Sequence, residues 1–136
     1  MTQWVVENLG PDVPWHFTAF HPDWRMRDTP PTPAETLSRA RAIAMKNGVN
    51  YAFTGNIHDP AGQATYCRQC QALLVGLEGY EIAAWHLTPE GKCDKCGTPC
   101  AGVFRRSPGT WGSKRMPVTM AAHADRGGDT DSPLYA

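Results

Sequence analysis

The chain has no charge surplus of either sign: Lys plus Arg number 13 and Asp plus Glu number 13 among its 136 residues. No global field therefore draws it to nucleic acid or to an anionic membrane surface. No apolar run approaches the ~18 residues of a membrane span. The opening residues, MTQWVVENLG, carry neither a basic n-region nor a long apolar stretch, so no signal peptide is read and the cytoplasm is the expected compartment. Internal repeats are absent. Cysteine is missing from the first 66 residues and from everything after residue 100.

What is present is concentrated. Glycine and proline contribute 13 and 12 residues, so loops and turns take an unusual share of one domain, or of a piece of a larger one. All five cysteines fall in TYCRQCQALLVGLEGYEIAAWHLTPEGKCDKCGTPC, residues 65–100. Four of them make two Cys-x2-Cys pairs, Cys67/Cys70 and Cys93/Cys96, with 22 residues between the pairs. A Cys-x2-Cys turn lets two thiolates face one ion, and two such knuckles close a tetrahedral four-thiolate site. In a reducing compartment paired cysteines point to metal rather than to disulfides.

The spacer supports a ribbon. ALLVGLEGYEIAAWHL reads as strand, a turn at Glu78-Gly79, and a second strand, with Leu73, Val75 and Leu77 sharing one face and Tyr80, Ile82 and Ala84 aligned on the next. Gly97 follows the second knuckle, where a left-handed residue is wanted. With sulfur at every position the site has no open coordination place, so the metal, zinc or alternatively iron, should hold the fold and not catalyse. Cys100 stands outside the two pairs and is expected to be a small buried residue. The order Cys93-x2-Cys96-x3-Cys100 is the reverse of a cluster-binding Cys-x3-Cys-x2-Cys.

Ahead of the cysteines, residues 3–9 form a short helix stopped by Gly10-Pro11. A helix so short, at the very start of the chain, is expected to be cut from something longer. Residues 15–20, WHFTAF, are aromatic, β-prone or small without a helical period, which suits a strand buried on both faces. A helix follows, with Thr32 as N-cap, Pro33 at N1, Glu35 completing a capping box and Gly48 closing it; Leu37, Ala40, Ala44, Ile43 and Met45 form its apolar face. A second strand over residues 51–54 completes a parallel βαβ unit. After Cys100, AGVF is expected to add a ribbon strand, and the chain from about residue 119 to be a disordered tail.

The string GPDVPWHFTAFHPDWRMRDTPPTPAETLSRARAIAMKNGVNYAFTGNIHDPAGQATYCRQCQALLV, with GYEI, CDKCGTPCAGVF and PGTWGSKRMPV after it, is similar to the C-terminal part of a known family. These are the AmmeMemoRadiSam-system radical S-adenosylmethionine (SAM) proteins, relatives of the pyruvate formate-lyase activating enzymes; the likeness covers residues 3–118. The resemblance implies an α/β fragment: the C-terminal βαβ portion of a partial (β/α) barrel at residues 1–62, a four-cysteine zinc-ribbon or rubredoxin-like hairpin module at 63–106, and an extended tail at 107–136. It further implies His16 as a contact for SAM, with Asn56, past the end of the last barrel strand, placed to bond a ligand. The loop charges His21, Asp23, Arg25 and Arg27 follow the first strand.

The same resemblance puts the [4Fe–4S] cluster and SAM in the complete parent enzyme, because three thiolates in a Cys-x3-Cys-x2-Cys are required and this chain has none. The partner it implies is the missing N-terminal radical SAM half, with Memo-like and AMME-type proteins of the same system. Two other readings compete. One is a zinc-ribbon binding module, for which Arg105, Arg106, Lys114 and Arg115 interleaved with Phe104 and Trp111 offer a basic–aromatic patch. The other is a rubredoxin-like electron carrier, which needs iron and ordinarily an acidic surface around the knuckles. His58 and His86 fit neither knuckle and are expected at the surface.

Overall fold

The computed structural model describes residues 1–109 of the chain. Its elements run α1 (Thr2–Leu9), β1 (Trp15–Thr18), α2 (Ala34–Lys46), β2 (Ala52–Gly55), α3 (Pro60–Gln63), β3 (Thr65–Tyr66), β4 (Leu73–Glu78) and β5 (Glu81–Trp85). They make a mixed α/β fold with two small sheets, β1-β2 and β3-β4-β5. Among the described residues no helix is long and apolar enough to cross a membrane.

Strand β1 pairs parallel with β2, Trp15 opposite Ala52 through Thr18 opposite Gly55, with α2 as the crossover. The ladder outruns both strands: Trp15 N–H donates to Tyr51 O at 2.9 Å and Ala19 N–H to Gly55 O at 3.0 Å. The expectation of a six-residue strand buried on both faces is corrected. Trp15 and Phe17 pack with Ala44, Val49 and Ala52 beneath α2, whereas His16 and Thr18 are exposed. Two strands and one crossover helix can cover only one face of such a sheet.

Helix α2 starts one residue later than its capping signal implies. Pro33 occupies the N-cap with extended backbone (φ −61°, ψ 143°), and no side chain caps the helix. The Thr32 hydroxyl instead accepts the Phe20 N–H at 3.0 Å while the Thr32 N–H donates to Phe20 O at 3.0 Å. Thr32 thus closes the long loop after β1, and a hydroxyl committed to that loop does not cap the helix. The helix ends as its glycine implies: Gly48 is left-handed (φ +96°), with its N–H on Met45 O and that of Val49 on Ala44 O. Leu37 and Ala44 are buried, but Ile43 is 52% exposed and does not belong to the apolar face.

The second sheet is an antiparallel meander. Its hairpin turns at Gly79-Tyr80, one residue past the expected turn, with Gly79 left-handed. The expected inward set is also corrected. Leu74, at 1% exposure, is the buried residue of β4, while Leu73, Val75 and Leu77 are only half-covered and Tyr80 and Ile82 face solvent. A register shift between Gly76 and Leu77 breaks the simple alternation along the strand. Residues 101–104 form no strand: Val103 is exposed and Phe104 turns back edge-on to Trp85, ring centroids 6.2 Å apart.

Tyr51 joins the two sheets. It sits in one core with Cys67, Leu74, Leu87, Cys93 and Cys100, and its hydroxyl accepts the Ala101 N–H at 3.1 Å. Burial of the ring pushes the phenol up to about 12, so it stays neutral and able to donate to Cys100 Sγ, 3.7 Å away. Short α3, which was not expected, braces the junction. The Asp59 side chain accepts the Gly62 N–H at 2.9 Å and the Thr54 hydroxyl at 3.0 Å. Gly62 is obligatory here, since a Cβ would collide with the Asp59 carboxylate and the Thr54 hydroxyl.

Candidate metal centre

The two Cys-x2-Cys turns are built alike. In the first, the Cys67 N–H donates to Ala72 O at 2.8 Å and the Gln71 N–H to Cys67 O at 2.9 Å. In the second, the Cys93 N–H donates to Thr98 O at 2.9 Å and the Gly97 N–H to Cys93 O at 2.9 Å. Each turn passes through a left-handed residue just after its second cysteine, Gln71 (φ +57°) and Gly97 (φ +71°). That reversal swings the next backbone N–H onto the second sulfur, so Ala72 donates to Cys70 and Thr98 to Cys96. These donors favour the thiolate, which is the form a metal requires.

The knuckles face each other and bring the four sulfurs of Cys67, Cys70, Cys93 and Cys96 within 4.8 Å of one another. The closest approaches run between knuckles: Cys67 Sγ to Cys96 Sγ is 3.5 Å and Cys70 Sγ to Cys93 Sγ is 3.7 Å. A tetrahedron with metal–sulfur bonds of about 2.3 Å has edges of about 3.8 Å. A disulfide would instead need about 2.05 Å, and all five cysteines are free thiols. The donor set fits one ion that takes soft ligands in tetrahedral array, zinc or iron. Cys67 and Cys93 are buried, Cys70 and Cys96 exposed, so the first sulfur of each pair anchors in the core and the second forms the rim.

Electrostatics divide the rim sulfurs. The Thr98 hydroxyl and then the Thr98 N–H bring the Cys96 thiol down to about 6, leaving it ionised at neutral pH. At Cys70 the Ala72 N–H also lowers the value, but desolvation and the neighbouring sulfurs of Cys96, Cys67 and Cys93 outweigh it and push the thiol up to about 12. One negative charge already in the cluster makes the next harder to form. A divalent cation relieves that conflict, offsetting half of the four thiolate charges and holding all four sulfurs in the ionised form.

Thr98 and Gln71 are contributors that spacing alone did not identify. Gln71 carries no sequence signal for a left-handed turn; its equivalence to Gly97 across the two pairs was the available clue. Cys100 lies outside the sulfur cluster, buried against Tyr51, and burial raises its thiol. His86 is exposed and meets Asp94 at 3.2 Å beside the second knuckle; His58 is exposed as well.

His16 and Asn56 lie away from the sulfurs, on the parallel sheet. His16 is exposed in the middle of β1, its ring stacked on Phe53 at 5.1 Å. Asn56 follows the end of β2 in a left-handed conformation (φ +58°) with its amide 3.5 Å from Ala19 O. His21, Asp23, Arg25 and Arg27 are exposed in the loop after β1, where Arg25 lies over the Trp24 ring at 4.4 Å. Lys114, Arg115 and Trp111 of the basic–aromatic patch, and all but the first three residues of the expected tail, lie outside the described residues.

No family model matches the chain, and no solved structure matches it. Among curated proteins it is similar to the uncharacterized protein MJ0808 of Methanocaldococcus jannaschii, with 42% identity over 94 residues. The likeness covers 68% of this chain but 28% of the archaeal protein, so the chain spans less than a third of that relative's length.

Proposed function

We propose that Cys67, Cys70, Cys93 and Cys96 hold one structural zinc ion and that the chain serves as a zinc-ribbon binding module whose partner is a protein surface. The observation that supports this most is the convergence of two like-built knuckles with cross-knuckle sulfur distances of 3.5 and 3.7 Å. Four sulfur ligands leave no place for water or substrate, so the ion stabilises the fold and polarises nothing. Zinc is preferred to iron because the divalent ion binds such donors more tightly and needs no redox partner. A protein partner is preferred to nucleic acid because the charge is balanced and the hairpin tip offers Tyr80, 82% exposed, beside Ile82.

The test is metal analysis of the full chain purified under reducing conditions, followed by titration with labelled single- and double-stranded oligonucleotides. About one zinc per chain and only weak, salt-sensitive oligonucleotide binding support the reading. Iron in place of zinc, with reversible one-electron chemistry, would move it to a rubredoxin-like carrier. Tight, saturable oligonucleotide binding would move it to nucleic acid.

A second reading is that the chain forms part of a radical SAM enzyme related to the pyruvate formate-lyase activating enzymes. The parallel β1–α2–β2 unit with one uncovered sheet face, and the greater length of the archaeal relative, favour it. In that setting the chain supplies a piece of the barrel, with His16 and Asn56 toward the cofactor and substrate. The [4Fe–4S] cluster and SAM would be held by the partner half, where they generate the radical. Anaerobic reconstitution of this chain alone with iron, sulfide, reductant and SAM should give no 5′-deoxyadenosine. Product from this chain alone would contradict that division of labour; product only after adding a polypeptide with Cys-x3-Cys-x2-Cys would establish it.

A further inference from the structure

The two sheets do not close completely on each other. Between the C-terminal half of α2, the start of β2 and the first knuckle lies a cavity of about 200 Å³, lined by Arg41, Asn50, Thr65, Tyr66, Arg68 and Gln71 among others. Its charges are unequal. Arg68 has a counter-ion, Asp12, at 3.7 Å, and Asp12 in turn accepts the Asn50 amide at 2.7 Å. Arg41 has no carboxylate partner among the described residues, although it is half-buried. Its Nε–H is spent on Ala52 O at 2.8 Å, which fixes the guanidinium, and the Tyr66 ring stands 6.0 Å from its central carbon. The two terminal nitrogens of that guanidinium remain as donors.

A half-buried guanidinium without an anion is costly to keep, since it has lost part of its water and gained no charge partner. Here it is also held in place, and Thr65, Tyr66 and Gln71 contribute to the same lining. A planar guanidinium presents paired N–H groups that match the oxygens of a carboxylate or phosphate. The volume suits a small ligand or the anionic head of a larger one, below the usual range for drug-sized molecules.

We propose that this cavity is a binding site for a small oxyanion, a carboxylate or a phosphoryl group, held by Arg41 with Arg68 at the rim. Because β2 and α2 form one wall and the first knuckle the other, the bound anion clamps the parallel sheet to the metal ribbon. The site is separate from the four-sulfur centre, although Cys67 contributes to its wall.

The experiment titrates the full, metal-loaded chain with inorganic phosphate and, separately, with succinate, at constant ionic strength. Backbone and side-chain NMR shifts are followed, and metal content is measured in every sample so that a failure of the ribbon is seen independently. Saturable shifts confined to Arg41, Tyr66, Arg68 and Gln71 are expected. Phosphate alone, succinate alone or both assigns the oxyanion class, and each outcome supports the site. Arg41→Gln should weaken binding at least tenfold at unchanged metal content. Arg41 also supports Ala52, so Gln71→Glu gives an isosteric second test: a negative charge in the lining should weaken binding similarly, at the cost of only the exposed 3.4 Å contact from the Gln71 amide to Arg68 O. No saturable shift with either anion, or equal binding by both variants and the parent chain, would overturn the proposal.

Discussion

The two knuckles share their backbone hydrogen bonds and differ in what surrounds them. The second uses Gly97 for its left-handed step and adds the Thr98 hydroxyl to the backbone donor on its rim sulfur. The first must put Gln71 through the same step and has Ala72, which brings no second donor. The geometry of a metal knuckle is thus set by the backbone, and the side chains around it set how readily each sulfur gives up its proton. Of the two rim sulfurs, Cys96 is prepared as a thiolate and Cys70 waits for the metal.

The largest effect should treat the knuckles as equal. Cys70→Ser and Cys96→Ser each remove one of four ligands, and each should abolish stoichiometric metal binding and unfold the 65–100 segment, as read by metal analysis and circular dichroism. Retention of metal by one variant and not the other would break the equivalence and point to a three-ligand site.

Next, Thr98→Val should act on the second knuckle alone. Without the hydroxyl donor the Cys96 thiol rises from about 6, and metal affinity should fall by about tenfold, the lower end of what loss of an outer hydrogen bond costs. The pH dependence follows in sign. In the parent chain Cys96 gives up its proton above about pH 6 before metal arrives, whereas Cys70, held up to about 12, releases one on binding across the neutral range. Affinity should therefore fall on acidification, more steeply below about pH 6. In Thr98→Val the steeper region should move upward, and calorimetry in buffers of different ionisation enthalpy should show more protons released at pH 7.

A smaller pair of effects comes from the left-handed positions. A non-glycine residue there costs roughly 1–2 kcal/mol, so Gly97→Ala should destabilise the metal-loaded chain by about 1 kcal/mol. Gln71→Gly should recover up to about that much strain, offset in part by the greater freedom of glycine in the unfolded chain. Chemical denaturation of both variants checks the opposite signs. The smallest effect on metal belongs to Cys100→Ser, which should leave stoichiometry unchanged because that sulfur lies against Tyr51 and not in the cluster.

Much of this site was legible because metal ligation is written in short spacings. Two Cys-x2-Cys pairs with a hairpin-length spacer constrain the answer almost regardless of the rest of the chain. The parallel βαβ pairing was legible too, since Gly48 and the strand-like stretches on either side of α2 punctuate it. What periodicity could not give was the inward face of β4: Leu74 is the core residue because Tyr51 and the cysteine knuckles cover its side of the strand, and a register shift at Gly76/Leu77 takes Leu77 out of phase with Leu73 and Val75. Nor could local signals show that Thr32 spends its hydroxyl on Phe20, twelve residues away, or that Tyr51 crosses into the ribbon core. These outcomes depend on which distant segment arrives, and a window of sequence holds no record of that.

The central claim is that four sulfurs from two like-built knuckles hold one ion. The most direct measurement is native mass spectrometry of the reduced full chain, with elemental analysis of the same sample. The account predicts a mass increment of one tetrahedral metal per chain, zinc by element, with the four ligand cysteines protected from alkylation and released together by a chelator. A chain without metal whose five thiols alkylate independently, or a native disulfide between Cys67 and Cys70, would contradict it.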